Sequence, residues 1–520
     1  MAAKGAVACG HRETAAAAAE ILADGGSAFD AVLAAMASAC VAEPVLASLA
    51  GGGFLLARPA DGPARVYDFF VDTPLVRRDE RDIDFYPVLA DFGTATQEFH
   101  IGLGAAATPG ALAGFFKIYD DLASLPAHRL VEPAQRIARE GFIVGPMDHF
   151  LYTVVGRILL ASDELRARFA EADDPTKPVA AGRRLVQPEL ADALGALAEE
   201  GADLLYEGEL GERLCRLCRE EGGQLTREDL ARYRVQVRAP LEVRYRDALI
   251  QTNPPPSAGG ILIAFALDLL DGADLPGLGP EAGLAALARA MDLTNKARLE
   301  ARLHEASGDD AERAAIARLF DPGLLRRYRD TLLGRPFSPR GTTHISVADA
   351  AGNLAALTLS NGEGCGRFLP GTGILLNNML GEEDLSPAGF HLWRPGTRMA
   401  SMMAPTIAEA GSGRIAALGS GGSNRIRSAI LQVVLHLIDR ERGAQDAVEA
   451  PRLHIEGAQA NLEAGFPEGS EELLAETFDE VRSWPERNLF FGGAHVVTRD
   501  RSGNFEAAGD PRRGGVARLV

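Results

Sequence analysis

Long apolar runs are missing from this chain. No stretch approaches the about eighteen uninterrupted apolar residues that a bilayer span needs. The opening, MAAKGAVACGHRETAAAAAE, is broken by polar and charged residues, so no secretory signal is visible. The expectation is a cytoplasmic chain, with a periplasmic or secreted one only if the start has been trimmed. Basic charge is also short: 53 lysines and arginines face 72 acidic residues, a net charge of −19. No Lys/Arg run interleaved with aromatics occurs. Such a surface repels phosphate backbones and anionic lipid, so neither nucleic acid nor a membrane is an expected partner. Cysteine is scarce, with five residues scattered as Cys9, Cys40, Cys215, Cys218 and Cys365, which excludes a disulfide framework. Cys215 and Cys218 form a lone C-x-x-C in LGERLCRLCREEG, a segment that reads as helix; with no second pair to complete a metal site, helix packing is the simpler reading. The ten histidines include no H-E-x-x-H, and no metal or organic cofactor is expected.

What is present is ample core material. At 520 residues and 47% apolar composition, the chain can hold about three domains of about 150 residues or one large sandwich. Residues 12–24 are a good helix stopped by Gly25-Gly26, and Ser27 with Asp30 resembles a capping box opening a second Ala-rich helix to about Cys40. Strands follow the Gly51-Gly52-Gly53 run, residues 110–240 read mainly as helices, and LEVRYRDALIQT reads as a strand pair. The Pro254-Pro255-Pro256 loop predicts a helix starting near Ile261, with helices continuing to about residue 333 and a polar linker, GRPFSPRG, over 334–341.

The stretch TTHISVADAAGNLAALTLSN, residues 342–361, alternates like a strand, turns over Asp349–Asn353 and returns over Leu354–Ser360. Pairing centred near Ala351 sets Thr342 opposite Ser360, two hydroxyls at the open end of a hairpin, where cross-strand neighbours lie about 5 Å apart. A hydroxyl needs a base to become a nucleophile. His344 shares a face with Thr342, but no third group is visible to orient it. A chain break before Thr342 supplies the base differently: the freed α-amine, with a reference pKa of about 7.7–8.0, is partly neutral at physiological pH and held within its own residue. Gly341 permits the strained backbone such a break requires. A surface hairpin after a linker is the plain alternative.

Thr342–Asp349 with Gly352-Asn353 resembles the small-subunit start of the γ-glutamyltranspeptidases, N-terminal-nucleophile hydrolases that cleave themselves into two subunits. The resemblance runs along nearly the whole chain through AEILADGGSAFDAVLAAMASACVAEP, AGGGF, ATPGALAGF, EPAQRIAREGF, PPPSAGG, GILLNNM, MMAPTI, GSGGSNRI and GDPRRGG. It implies an α+β fold, the four-layer αββα sandwich of the N-terminal-nucleophile hydrolases, with a large-subunit region 1–341 and a small-subunit region 342–520 intertwined as one domain. It implies cleavage between Gly341 and Thr342, with Thr342 as nucleophile, Ser360 as a second hydroxyl bonded to it, and Gly422 with Ser423 as the oxyanion hole. Asn361, Asp384 and Ser401 match donor-binding positions. The loop Gly419–Ser423 precedes a helix with apolar face Ile426, Ile430, Val433, Val434 and Leu437, and helix-start amides suit developing negative charge. A phosphate loop is excluded there, because G-x-x-x-x-G-K-[ST] has no lysine to match.

The sequence also departs from its relatives. Where the family has Asp-Phe-Arg, this chain has Asp68-Phe69-Phe70, and Phe70 cannot clamp a carboxylate; Arg77 or Arg78 are the nearby candidates to replace it. Met379 stands for a glutamine and Met402 for a serine in the donor pocket. Losing the bidentate clamp forfeits about 1.5–3 kcal/mol of charge-assisted bonding. The stretch 385–400 is shorter than the family's lid, which implies a more open, wetter site favouring water as acceptor. The expected function is cleavage of γ-glutamyl amides such as glutathione, with acyl transfer to water or an amine. The expected partners are that small substrate and the two cleavage fragments as a heterodimer, a dimer of these being left open. Two alternatives stand beside it: the same mechanism on another amide (poly-γ-glutamate or an acyl-amino compound), and an uncleaved, inactive binding protein.

Overall fold

The computed structural model describes residues 3–91, 96–271, 273, 275, 277–301, 309–320, 342–386 and 389–520. Gly341 and the linker expected over 334–341 lie outside the described residues. In chain order the sandwich strands are β1 (Gly5–Cys9), β2 (Gly52–Arg58), β3 (Arg65–Asp68), β4 (Gln236–Arg238), β5 (Leu241–Tyr245), β6 (Ala248–Thr252), β7 (Thr343–Asp349), β8 (Leu354–Ser360), β9 (Thr406–Glu409), β10 (Ile415–Gly421), β11 (Gly493–Arg499), β12 (Phe505–Ala508) and β13 (Val516–Leu519). They form an antiparallel seven-stranded sheet, order β13-β1-β7-β8-β2-β3-β4, facing an antiparallel six-stranded sheet, order β12-β11-β10-β9-β6-β5. Each sheet mixes strands from before and after position 342.

Helices cover both outer faces. On the seven-stranded sheet lie α1 (Arg12–Ala23) and α2 (Ala28–Ala42), backed by α3 (Ala127–Glu140) and α4 (Pro188–Glu200). The other sheet carries α5 (Ala258–Asp271), α6 (Pro280–Glu300) and α7 (Arg425–Ile438). The Ser27–Asp30 capping box forms as expected, and Asp349 of the β7–β8 turn also accepts from the Ala28 amide, tying the hairpin to the start of α2. Side chains alternate across β7: Ile345 and Val347 join the core under α2, while Ala348 joins the core between the sheets.

The α5 helix begins at Ala258, three residues before the expected Ile261. Two glycines make this early start possible. A Cβ on Gly259 would meet the Met402 carbonyl oxygen at 2.0 Å, and one on Gly260 the Asn253 carbonyl oxygen at 2.1 Å, so the first turn packs against backbone that only glycine admits. Cys215 and Cys218 lie on the helix Glu209–Glu220, as the sequence implied, and burial pushes their thiols up to about 11 and about 12. Among the described residues no helix is long and apolar enough to cross a membrane.

Candidate active site

The hairpin register places the nucleophile candidate where spacing put it. Thr343 pairs with Leu359 and His344 with Thr358, so the next pair outward is Thr342 and Ser360. Thr342 is 4% exposed and lies against the end of β10, so close that a Cβ on Gly421 would fall 1.8 Å from its carbonyl oxygen. Immediately after Gly421 the chain turns sharply through Gly422 (φ 115°) and Ser423 (φ 52°) into α7, with the Arg425 and Ile426 amides donating to the Gly422 and Ser423 carbonyls at 3.1 and 2.9 Å. Positive φ is costly for serine, and such strain concentrates at functional turns.

Arg513 completes this corner. Its Nη1 donates to the Thr342 carbonyl at 3.5 Å, and its Nη2 would lie 3.1 Å from a Cβ on Gly422. Burial pulls the guanidinium down to about 10, with Arg452 adding to the effect and Asp510 opposing it. Sequence reading missed Arg513, although it lies inside the GDPRRGG motif, because nothing local shows which of two adjacent arginines turns inward.

His344 is not a base for Thr342. Its buried ring is bonded on both sides, Nδ1 with Thr358 Oγ1 at 2.8 Å and Nε2 with Ser346 Oγ at 2.9 Å, and burial holds its pKa well below the ordinary range. A carboxyl lies beside the nucleophile candidate: Glu43 at the end of α2, which was also missed. Glu43 accepts from Thr343 Oγ1 at 2.7 Å and from Thr14 Oγ1 at 2.8 Å. Burial raises its pKa, against the opposing effects of His11 and the two hydroxyls. A pocket here is lined by Thr342, Thr343, Glu43, His11, Tyr152 and Arg513, among others.

The recognition residues divide into three groups. Ser360 Oγ accepts from the Gly362 amide, and the next residue, Asn361, is fully buried with neither side-chain amide atom hydrogen-bonded. Buried polar groups are nearly always satisfied, so an amide left without partners directly after Ser360 is suited to contact a ligand. Ser401 Oγ instead accepts from the Met403 amide, Met402 packs on the apolar core, and Met379 and Phe70 are buried within it, Phe70 stacked on Phe54 at 5.6 Å. Asp384 lies in the short 3₁₀ turn Glu383–Leu385; its side chain is outside the described residues.

Neither Arg77 nor Arg78 replaces the missing clamp. Arg78 is spent on the carbonyls of Cys218, Gly223 and Arg219, and Arg77 lies over Trp393. Two arginines reach Asp68 at this turn: Arg238, whose Nε donates to Oδ2 at 3.2 Å, and Arg398, some 330 residues away in sequence, which bonds Asp68 Oδ1 and Asp72 Oδ1 (2.6 Å) and lies over Tyr233. Two carboxylates already occupy Arg398. The same contacts fasten the 393–399 stretch to residues 71–77, aided by Thr73–Thr397 and Val71–Met399 backbone bonds, so this part of the expected open lid is tied down.

A family description, gamma-glutamyltranspeptidase, matches residues 14–520. The chain is 33% identical over 526 residues to the Acylase ACY 1 proenzyme of Pseudomonas sp. (strain V22), covering 97% of this chain and 91% of that one. It is 30% identical over 521 residues to the glutathione hydrolase proenzyme of Escherichia coli (strain K12), covering 95% and 88%. In fold it is similar to the cephalosporin acylase from Bacillus halodurans, with TM-score 0.85 and 22% identity over 99% of this chain and 96% of that one. The four-layer sandwich is therefore that of the N-terminal-nucleophile hydrolases, and the chain is a divergent member of the γ-glutamyltranspeptidase family of amidohydrolases.

Proposed function

We propose that this protein is a self-processing N-terminal-threonine amidohydrolase whose preferred substrate is an amide with an uncharged or weakly polar acyl group. In processing, Thr342 Oγ attacks the Gly341 carbonyl carbon, the peptide nitrogen leaves as the Thr342 amine, and water hydrolyses the resulting ester to free the Gly341 carboxylate. In turnover the new α-amine takes the Oγ proton as Oγ attacks the substrate carbonyl. The Gly422 and Ser423 amides receive the oxyanion, Ser360 supports the nucleophile, and Asn361 contacts the acyl group. The amine leaves with the proton, and water or a second amine takes the acyl group.

The observation that carries this reading is the burial of Thr342 against Gly421 with the positive-φ turn Gly422–Ser423 beside it. Intact mass and N-terminal sequencing should find fragments 1–341 and 342–520, the second beginning with Thr342, and Thr342→Ala should remain whole and inactive. A whole wild-type chain with amidase activity overturns the mechanism.

The preference for an uncharged acyl group rests on Phe70 in the core and on Arg398 held by Asp68 and Asp72. The likeness to a relative named acylase agrees with it. A γ-glutamyl donor is the second reading, favoured by Asn361 and by the relative named glutathione hydrolase. Turnover of γ-glutamyl-p-nitroanilide beside a panel of acyl-p-nitroanilides separates the two: a higher kcat/KM on the glutamyl compound makes the second reading the right one.

A further inference from the structure

Behind the Gly422–Ser423 turn lies a polar chain that the proposed chemistry does not touch. Ser428 Oγ and His454 Nδ1 are 2.8 Å apart, and His454 Nε2 and Glu456 Oε2 are 2.9 Å apart. The other Glu456 oxygen accepts from Asn424 Nδ2 at 3.1 Å. All four residues are buried. Serine, histidine and glutamate in a row invite a catalytic reading, but this serine sits inside α7, bonded to Nδ1 and buried. The informative end of the chain is Asn424, the residue directly after Ser423 and the first at the mouth of α7.

Asn424 is gripped from two sides. Its side chain is held by Glu456, and its carbonyl accepts from Arg427 Nε at 3.1 Å. Arg427 in turn bonds Asn295 of α6, which donates to the Ile455 carbonyl on the strand Leu453–Glu456. The turn, the helix start and that strand thus form one hydrogen-bonded ring, in which Glu456 is the acceptor facing the turn.

We infer that Glu456 is a positioning residue for the oxyanion turn, fixing through Asn424 the direction in which the Gly422 and Ser423 amides point. This rests on the role proposed for those amides. The ionised carboxyl is the working form, because its oxygens accept from two N–H donors, Asn424 and His454, whose ring then accepts from the Ser428 hydroxyl. Protonation of Glu456 reverses the His454 tautomer and loosens the grip. That event falls in the working range: burial raises Glu456 to about 7, against the pull of Arg427 and Arg425 on α7, Arg298 on α6 and the Asn424 bond. His454 stays neutral, since burial and the same two α7 arginines hold its pKa well below normal.

The test is steady-state kinetics on the processed enzyme, with the fraction of free Thr342 measured by N-terminal sequencing. Glu456→Gln imitates the protonated group and keeps its shape. It should lower kcat about tenfold with KM nearly unchanged, since an oxyanion donor acts on the transition state, where outright removal costs about 100- to 1000-fold. It should also remove from the kcat–pH profile an ionisation at about 7. Asn424→Ala, which cuts the link from the turn's side, should lose kcat similarly, and the double variant should be little worse than either single one. Glu456→Asp should recover part of the loss. Wild-type kcat and pH profile in Glu456→Gln, or in Asn424→Ala should the first variant not fold, overturn the inference. A wild-type enzyme without free Thr342 overturns the functional reading instead, and the sequencing tells the two failures apart.

Discussion

At the scale of single residues, the site depends on how near two stretches of main chain approach. Gly421 touches the Thr342 carbonyl at a distance no side chain tolerates, and Gly419 does the same over the His344 ring, where a Cβ would lie 2.3 Å from Cε1. Gly421→Ala is therefore expected to push β10 away from Thr342, lowering stability by about 1–3 kcal/mol and stopping cleavage. Denaturant unfolding and electrophoresis of the same preparation check both. Thr342 and Ser360 were legible because a short hairpin turns spacing into register. Glu43, Arg398 and Arg513 were not: they meet Thr343, Asp68 and Thr342 across 300, 330 and 171 positions of sequence, and no local pattern distinguishes them from surface charges. The absence of an arginine at Phe70 was readable, whereas the arrival of Arg398 at that corner, and its capture by Asp68 and Asp72, was not.

At the scale of elements, α2 shows how much one carboxylate can hold. Asp30 accepts from the Ser27 amide and hydroxyl within the capping box, and from the Ser124 amide and hydroxyl and the Leu125 amide of the loop before α3. Burial opposes its charge, yet the bonds from Ser124, Leu125 and Ser27 prevail and keep its pKa below the ordinary aspartate value. A depressed carboxyl contributes stability above its unfolded pKa of about 4 and loses it as pH falls through the folded value. Asp30→Asn should cost about 1.5–3 kcal/mol at neutral pH. The gap to wild type, read from unfolding midpoints, should narrow on acidification below about pH 4. The capping box could be seen in the sequence, but the capture of the second loop could not. Likewise Gly259 and Gly260 suggested a loop and proved to be the first turn of α5, because glycine's propensity yields to the space that packing leaves.

At the scale of the whole molecule, the proposed cut falls inside a shared architecture. β7, which follows Thr342, lies between β1 and β8, and in the other sheet β9 lies between β6 and β10. The two fragments would thus be held by strand ladders and by two apolar cores that each draws from both sides of position 342. Processed protein should elute from a sizing column as one species and separate only in denaturant, and loss of either fragment under native conditions would contradict this. The layered class was foreseeable from the family resemblance, whereas strand order was not, since neighbours such as β1 and β7 are joined by no local signal.

The first and last strands lie side by side: the Lys4 amide donates to the Val520 carbonyl, and the Val520 amide to the Gly5 carbonyl at 2.9 Å. A few linking residues would therefore close the chain into a ring, and reopening that ring just ahead of Thr342 would give a circular permutant. Started at that threonine, such a molecule would carry, once its initiator methionine is removed, the amine that the proposed cleavage would otherwise have to free, and maturation could be studied apart from turnover.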